Sequence, residues 1–133
     1  MRPPIDSTPD EGILINLEEW FKTHPIKEGQ TVRGEKIFES PRSSLTLAIL
    51  KDPVPAIGRH MHGTTDEIIF VYKGTGEICI NDKWIPAKAG DLHVCPRGVA
   101  HATRATKGGE MWLIGIYTPP QPKAGHDRIM LDE

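Results

Sequence analysis

Turn-forming residues divide this chain into short segments, and that division limits the possible fold more than any other feature of the sequence. Thirteen glycines and twelve prolines occur at short intervals along the 133 residues. The stretches between them are rich in β-branched and aromatic residues, which favour strands, and a helical period is almost absent. Many short strands joined by tight turns predict an all-β protein, built as an antiparallel sandwich or barrel.

The turn signals delimit nine predicted strands. These cover residues 33–40, 44–50, 58–62, 67–73, 76–81, 83–87, 91–95, 102–106 and 111–118. One of the separating turns is Lys73-Gly74-Thr75-Gly76, which we expect to divide two strands. A single short helical turn is predicted at residues 17–22, and no internal linker is evident.

The length and charge of the chain exclude several classes of protein. A chain of 133 residues fits one domain and can bury a substantial core. Its net charge of -2 does not favour binding to nucleic acid or to an anionic membrane. The longest apolar run is too short to span a bilayer, and the first twelve residues lack the apolar core of a signal peptide. We therefore expect a cytoplasmic protein whose partner is a small molecule.

The chain divides into three predicted parts. Residues 1–30 form an amino-terminal arm and lead-in, residues 31–118 form the barrel, and residues 119–133 form a proline-rich tail. Prolines at positions 119, 120 and 122 keep the start of the tail extended. The apolar residues Ile129, Met130 and Leu131 are expected to dock the tail on the barrel.

Three histidines and one glutamate form a pattern that is typical of a metal site. His60 and His62 are two residues apart, so a strand would present both imidazoles on one side. Glu67 follows a short polar loop and opens an apolar run, an arrangement that folds its carboxylate back toward the imidazoles. Imidazoles and a carboxylate are good ligands for Zn, Fe, Ni or Mn. The spacing therefore predicts a mononuclear metal site.

Two motifs around these residues resemble those of the cupin superfamily. The first motif is His-x-His, a glutamate after three or four residues and a glycine after six more. The second is glycine, five residues, Pro-x-Gly, two residues and histidine. The matching residues are His60, His62, Glu67 and Gly74 in the first motif, and Gly90, Pro96, Gly98 and His101 in the second. The resemblance extends over residues 44–118, and the combined pattern is far more specific than His-x-His alone.

The resemblance implies an antiparallel jelly-roll β-barrel, also known as a double-stranded β-helix, with one divalent transition metal ion inside it (Fe, Mn, Ni or Zn). It implies four metal ligands, which are His60, His62, Glu67 and His101. The glycines and the proline of the second motif would permit sharp turns. We expect these turns to let His101 re-enter the barrel opposite the other three ligands.

His93 and Cys95 share one face of their predicted strand. They could line the cavity, with His93 as an acid or base and Cys95 as a thiol behind the ligands. Packing on the outer face of the barrel is the favoured interpretation of both residues. For moving a proton near the metal, His93 and Tyr117 are both candidates, and the sequence does not choose between them.

The predicted strands at 67–73 and 111–118 are apolar on both faces. Ile69 and Val71 alternate in step with Glu67 and are expected inside the barrel. Ile68, Phe70 and Tyr72 are then expected to face outward. An apolar outer face needs a cover. We therefore predict a homodimer, and a monomer covered by its own amino-terminal segment is the alternative.

Three functions remain open from the sequence. The resemblance favours a dioxygenase or related oxidoreductase acting on a small oxygen-bearing substrate. The second is a non-redox isomerase, lyase or cyclase that acts on a sugar acid or a polyketide-like compound, with a side chain near the metal moving the proton. The third is a binding module that captures a small ligand without turnover.

Overall fold

The structure is a computed structural model that describes residues 12–51, 57–121 and 128–130. These residues form one short helix and nine strands. The elements are α1 (Leu17–Thr23), β1 (Val32–Glu39), β2 (Ser44–Lys51), β3 (Ile57–His62), β4 (Asp66–Ile80), β5 (Lys83–Lys88), β6 (Leu92–Cys95), β7 (His101–Ala105), β8 (Glu110–Thr118) and β9 (Arg128–Met130). Within the described ranges, no helix is long and apolar enough to cross a membrane.

The strands pair antiparallel in one curled sheet, and the long strand β4 belongs to both of its halves. Residues 66–74 of β4 pair with β6 and β8, and β8 pairs in turn with β2 and β2 with β1. Residues 75–80 of β4 pair with β5 and β7, and β3 then lies between β7 and β9. We refer to the first half as the front sheet and the second as the back sheet. The predicted all-β antiparallel barrel is confirmed.

The turn predicted at residues 73–76 is wrong, because β4 continues through them. A Cβ atom on Gly74 would lie 2.0 Å from the carbonyl oxygen of Glu110, and one on Gly76 would lie 2.1 Å from that of Arg104. Gly74 also has a φ of +94°, in the left-handed region that favours glycine. The two glycines therefore allow neighbouring strands to approach closely, and they do not reverse the chain.

The apolar core fills one end of the space between the two sheets. Its most deeply buried members include Met111, Val71 and Cys95, which are 0%, 1% and 1% exposed. Ile69 and Val71 both belong to this core, which confirms the prediction that they face inward. The end of the interior nearer Glu67 carries polar side chains instead, and the candidate functional site lies there.

Helix α1 covers the outer face of the front sheet. The side chain of Asn16 caps the helix by accepting a hydrogen bond of 2.9 Å from the backbone N–H of Glu19. Phe21, which is 1% exposed, stacks on Tyr72 and Trp112 of the sheet. The amino-terminal segment thus supplies a cover for part of the apolar face, as in the predicted alternative to a second subunit. The homodimer remains a prediction.

The described part of the carboxyl-terminal tail lies against the strand that carries the His-x-His pair. In strand β9, Met130 is opposite His60 and Ile129 is opposite Met61. The first eleven residues of the predicted amino-terminal arm, and Leu131, lie outside the described residues. The division of the chain at residues 30 and 118 stays a prediction.

Candidate metal centre

The four predicted ligands come together at one end of the barrel interior. His60 and His62 lie on β3, Glu67 is the second residue of β4, and His101 is the first residue of β7. All four side chains are buried, and one potential ligand atom from each lies within 4.8 Å of the others. The residues that the sequence singled out are therefore adjacent in space.

Strand pairing fixes how the imidazoles are arranged. His60 and His101 are paired on the neighbouring strands β3 and β7, and their ring centroids are 4.4 Å apart. The ring of His62 lies 5.1 Å from that of His60 on the same face of β3. The three histidines thus share the back sheet, and Glu67 faces them from the part of β4 that pairs within the front sheet. The prediction that His101 lies opposite the other three ligands is wrong, because His101 is beside His60.

The turn before His101 is held against the ends of two strands. Gly98, with a φ of +75°, donates its N–H to the carbonyl oxygen of His62 at 2.7 Å. The backbone N–H of Arg97 donates to the Asp66 carboxylate at 2.9 Å. These two bonds connect the turn to β3 and β4, so the backbone positions of the ligands are fixed relative to one another.

Glu67 is an anion at the centre of the cluster. Its Oε1 atom lies 3.1 Å from Nε2 of His62 and 3.1 Å from Nε2 of His101. Burial alone would raise its pKa, but hydrogen bonds from His101 and His62, the charge of His101 and a hydrogen bond from Tyr117 together lower the pKa to about 2. The site therefore offers one negative charge and three imidazoles.

This donor set fits a divalent transition metal ion. The ligand atoms converge, the side chains are buried, and imidazole nitrogens combined with one carboxylate suit Fe, Mn, Ni and Zn. A six-coordinate ion held by four protein atoms would keep two positions for a substrate or for water.

A cavity of about 370 Å³ adjoins the cluster, which is within the usual size of sites for small molecules. Its walls include five aliphatic residues, and its polar side chains outside the cluster come from β1, β2, β7 and β8. These four are Lys36, Thr46, Thr103 and Tyr117.

Tyr117 connects the cavity to the cluster. It lies opposite Glu67 across the β4–β8 pair, and its hydroxyl donates a hydrogen bond to the Glu67 carboxylate. Its ring is 5.9 Å from that of His62. Of the two residues proposed from the sequence for moving a proton, Tyr117 is the one that lines the cavity.

His93 and Cys95 lie inside the barrel, so the favoured interpretation that they pack on the outer face is wrong. They are 4% and 1% exposed, whereas Leu92 and Val94 beside them on β6 are 61% and 59% exposed. The parity of β6 depends on its register with β4, where Cys95 lies opposite Glu67, and the sequence does not reveal that register.

His93 supports the cluster from behind and does not line the cavity. Its ring meets that of His101 edge-on at 6.0 Å, and its buried Nδ1 atom has no hydrogen-bond partner among the described residues. Burial, followed by the charge of His101, lowers the pKa of His93. Burial also raises the pKa of the Cys95 thiol, which keeps it protonated.

Sequence reasoning missed several residues of the cavity wall, among them Lys36, Thr46 and Gly115. Their register places them in one row across the front sheet, because Lys36 is opposite Thr46 and Thr46 is opposite Gly115. Alternation along β1 was the available signal, since Val32, Gly34 and Lys36 share one face. Without the pairing of β1, that face could not be assigned to the interior.

The sequence matches the family model described as the Cupin domain over residues 52–117, a range that contains all four clustered residues. A search of curated proteins finds no significant match.

Solved structures share the fold at low sequence identity. A protein with a double-stranded β-helix domain from Klebsiella pneumoniae aligns with a TM-score of 0.72 at 15% identity, over 92% of this chain and 100% of that one. KdgF from Halomonas sp. aligns with a TM-score of 0.61 at 18% identity, over 71% and 84%. Pac13 from Streptomyces with uridine, described as a nucleoside dehydratase, aligns with a TM-score of 0.64 at 14% identity, over 80% and 82%. At these identities the similarity shows the fold alone.

Proposed function

The chain belongs to the cupin superfamily, and from that premise we propose that it is a metal-dependent enzyme that catalyses a non-redox proton transfer on a small oxygen-bearing molecule. The reaction would be of the isomerase or lyase kind. His60, His62, Glu67 and His101 would hold one divalent transition metal ion. When bound, such an ion polarises a carbonyl or hydroxyl oxygen and stabilises the negative charge that develops on it.

Tyr117 is the observation that carries this proposal. Its hydroxyl both borders the cavity and donates to Glu67, so a reacting molecule in the cavity would lie beside a group that can give or take a proton. The hydrogen bond to Glu67 orients that hydroxyl. Pac13, described as a nucleoside dehydratase, gives an example of non-redox chemistry on this fold, and that support is by analogy.

An oxygen-dependent reaction, which the family resemblance favours, is the second candidate. The aliphatic part of the cavity wall favours it, because such walls exclude water from a reactive centre. These aliphatic residues are Val32, Ala48, Leu50, Ile69 and Leu113.

The two candidates separate in an experiment that does not require the natural substrate. Metal-loaded protein is incubated in D₂O, with and without oxygen, with a panel of hydroxy acids, oxo acids, uronic acids and nucleosides, and deuterium incorporation is followed by NMR. We expect incorporation without oxygen, and we expect Tyr117→Phe to slow it by about 10²- to 10⁴-fold while the bound metal is retained.

Tyr72→Phe is the matched control, because Tyr72 lies on the outer face of the same sheet, where it packs on Phe21. Product formation only in the presence of oxygen would favour the oxidoreductase. Saturable binding of a compound with neither exchange nor oxygen uptake would favour a binding module.

A homodimer is part of the proposal. Leu92, Val94 and Ile116 on the outer face of the front sheet are 61%, 59% and 38% exposed, and they are not among the residues that pack with α1. A second copy would cover them. Light scattering of the purified protein tests this, and a monomer at micromolar concentration would contradict it.

A further inference from the structure

We infer that the cavity selects a small organic acid, whose negatively charged end pairs with Lys36 while its other, oxygen-bearing end lies at the His60, His62, Glu67 and His101 cluster. The inference deepens the proposed function and rests on it, because it takes the cluster as the place where the molecule reacts. It adds a class of substrate, which neither the fold nor the ligand set specifies.

Lys36 is the cation of the cavity wall. Among the described residues that line the cavity, it is the sole lysine or arginine. It shares the inward face of β1 with Val32 and Gly34, as strand alternation requires. The neighbouring cation, Arg33, belongs to the opposite face, where it donates to the carbonyl oxygen of Pro25 and to Glu35.

The ammonium group of Lys36 is held by an ion pair that does not occupy all of its N–H donors. Its Nζ atom donates to Glu39 at 2.5 Å, in an ion pair whose side chains are 51% and 16% exposed. An ammonium group has three N–H donors, so the ion pair leaves donors for an acidic group of a ligand. The ion pair with Glu39 thus restrains the Lys36 side chain, which stays half exposed to solvent.

The wall between Lys36 and the cluster leaves room for the body of a ligand. Lys36, Thr46 and Gly115 form one row across the front sheet, and Tyr117 in the next row is opposite Glu67. A Cβ atom on Gly115 would lie 3.4 Å from the ring of Tyr117, so the glycine keeps the space above this ring clear. Thr46 supplies a hydroxyl midway, where a polar substituent could bind.

The strand order determines the distance that the ligand must span. Lys36 on β1 is three strands away from Glu67 on β4, which is about 14 Å along the curved sheet at the usual spacing of strands. The flexible stem of a lysine shortens the gap that the ligand must span. The acidic group and the reacting end of the ligand are therefore separated by several bonds.

The test compares pairs of oxo acids that differ only at the far end. Protein loaded with Co(II) is titrated with 2-oxoglutarate and 2-oxopentanoate, 2-oxoadipate and 2-oxohexanoate, and 2-oxopimelate and 2-oxoheptanoate, and visible absorption of the metal reports binding. Each pair has the same chain length and ends in a carboxylate or a methyl group. At the best length, we expect the dicarboxylate to bind about fivefold tighter than its partner.

Lys36→Met should abolish this preference, whereas uptake of Co(II), which depends on the four clustered residues, should continue. Arg33→Met, which removes an ion-paired cation from the other face of the same strand, should keep the preference. A wild-type protein that shows no preference at any length, or a preference that survives in Lys36→Met, would overturn the inference while leaving the metal site intact. Failure of the wild type to take up Co(II) would instead contradict the proposed function.

Discussion

The two faces of the front sheet are formed by the same strands but carry different kinds of side chain. On the outer face, Leu47 and Ile49 pack against Phe21 of α1 in a continuous apolar cluster. All three residues are at most 1% exposed. On the inner face, the alternating residues Thr46 and Ala48 border a cavity of about 370 Å³. The outer face holds the sheet together by burial, whereas the inner face leaves space beside a buried anion and three imidazoles.

The difference teaches that stability and function are separable across a single sheet. Apolar burial contributes to stability in proportion to the area removed from water, so the filled outer face and the apolar core at the far end of the inner face should carry the free energy of unfolding. The cavity end of the inner face should contribute mainly binding and chemistry. Substitutions on either side can break or sharpen this comparison.

Phe21→Ala should have the largest effect on stability, because it opens a cavity beneath α1 where the ring stacks on Trp112 and Tyr72. We expect the free energy of unfolding to fall by about 3–5 kcal/mol, measured by denaturant titration. The metal stoichiometry of the folded protein should not change. Leu14→Ala is the control, because Leu14 is 99% exposed. Equal effects of the two substitutions would contradict the packing described for the outer face.

In the metal-free protein, Glu67 on the inner face should make the free energy of unfolding depend on pH. The pKa of Glu67 is lowered from 4.5 to about 2 in the folded state, so its contribution is fully present above about pH 4.5 and is lost as the pH falls toward 2. The shift corresponds to about 3 kcal/mol.

Glu67→Gln removes this titration and leaves the other acids of the chain in place. We therefore expect the difference in unfolding free energy between the wild type and this variant to shrink by that amount between pH 5 and pH 2. A difference that stays constant over this range would mean that the imidazoles do not stabilise the carboxylate.

Gly115→Ala should have the smallest effect on stability. The nearest atom to the added methyl group would be a ring carbon of Tyr117 at 3.4 Å, and the nearest backbone atom would be 3.8 Å away. We expect the free energy of unfolding to change by less than about 1 kcal/mol, because the glycine borders space and not packed atoms. Binding of the oxo acids described above should weaken. A loss of stability comparable to that of Phe21→Ala would show that the inner face is packed as tightly as the outer one.

Much of the fold could be predicted from local patterns in the sequence. Turn residues and β-branched stretches located most strands to within one or two positions, and the spacing of His60, His62, Glu67 and His101 identified the cluster. Within each strand, turn or motif, these features depend on residues that are close together in the chain. The turn predicted at Gly74 was wrong for a related reason. A glycine that allows close approach to Glu110 cannot be distinguished in the sequence from a glycine that forms a turn.

The remaining parts depend on register between distant strands. Whether His93 faces inward is decided by its pairing with Ile69, and whether Lys36 lines the cavity is decided by its pairing with Thr46. A shift of one residue in either pair would reverse the face. The position of His101 beside His60 follows from the β3–β7 pair in the same way.

The most direct test of the account is a metal titration of the wild type beside His101→Ala and His24→Ala, each first freed of metal. His24 is the control, because its ring stacks on Trp20 of α1, away from the cluster. The account predicts one ion bound per wild-type chain and per His24→Ala chain, and an affinity at least about 100-fold weaker in His101→Ala with its β-sheet circular dichroism unchanged. Stoichiometric, equally tight binding by His101→Ala, or no binding by the wild type, would contradict the four-ligand metal site.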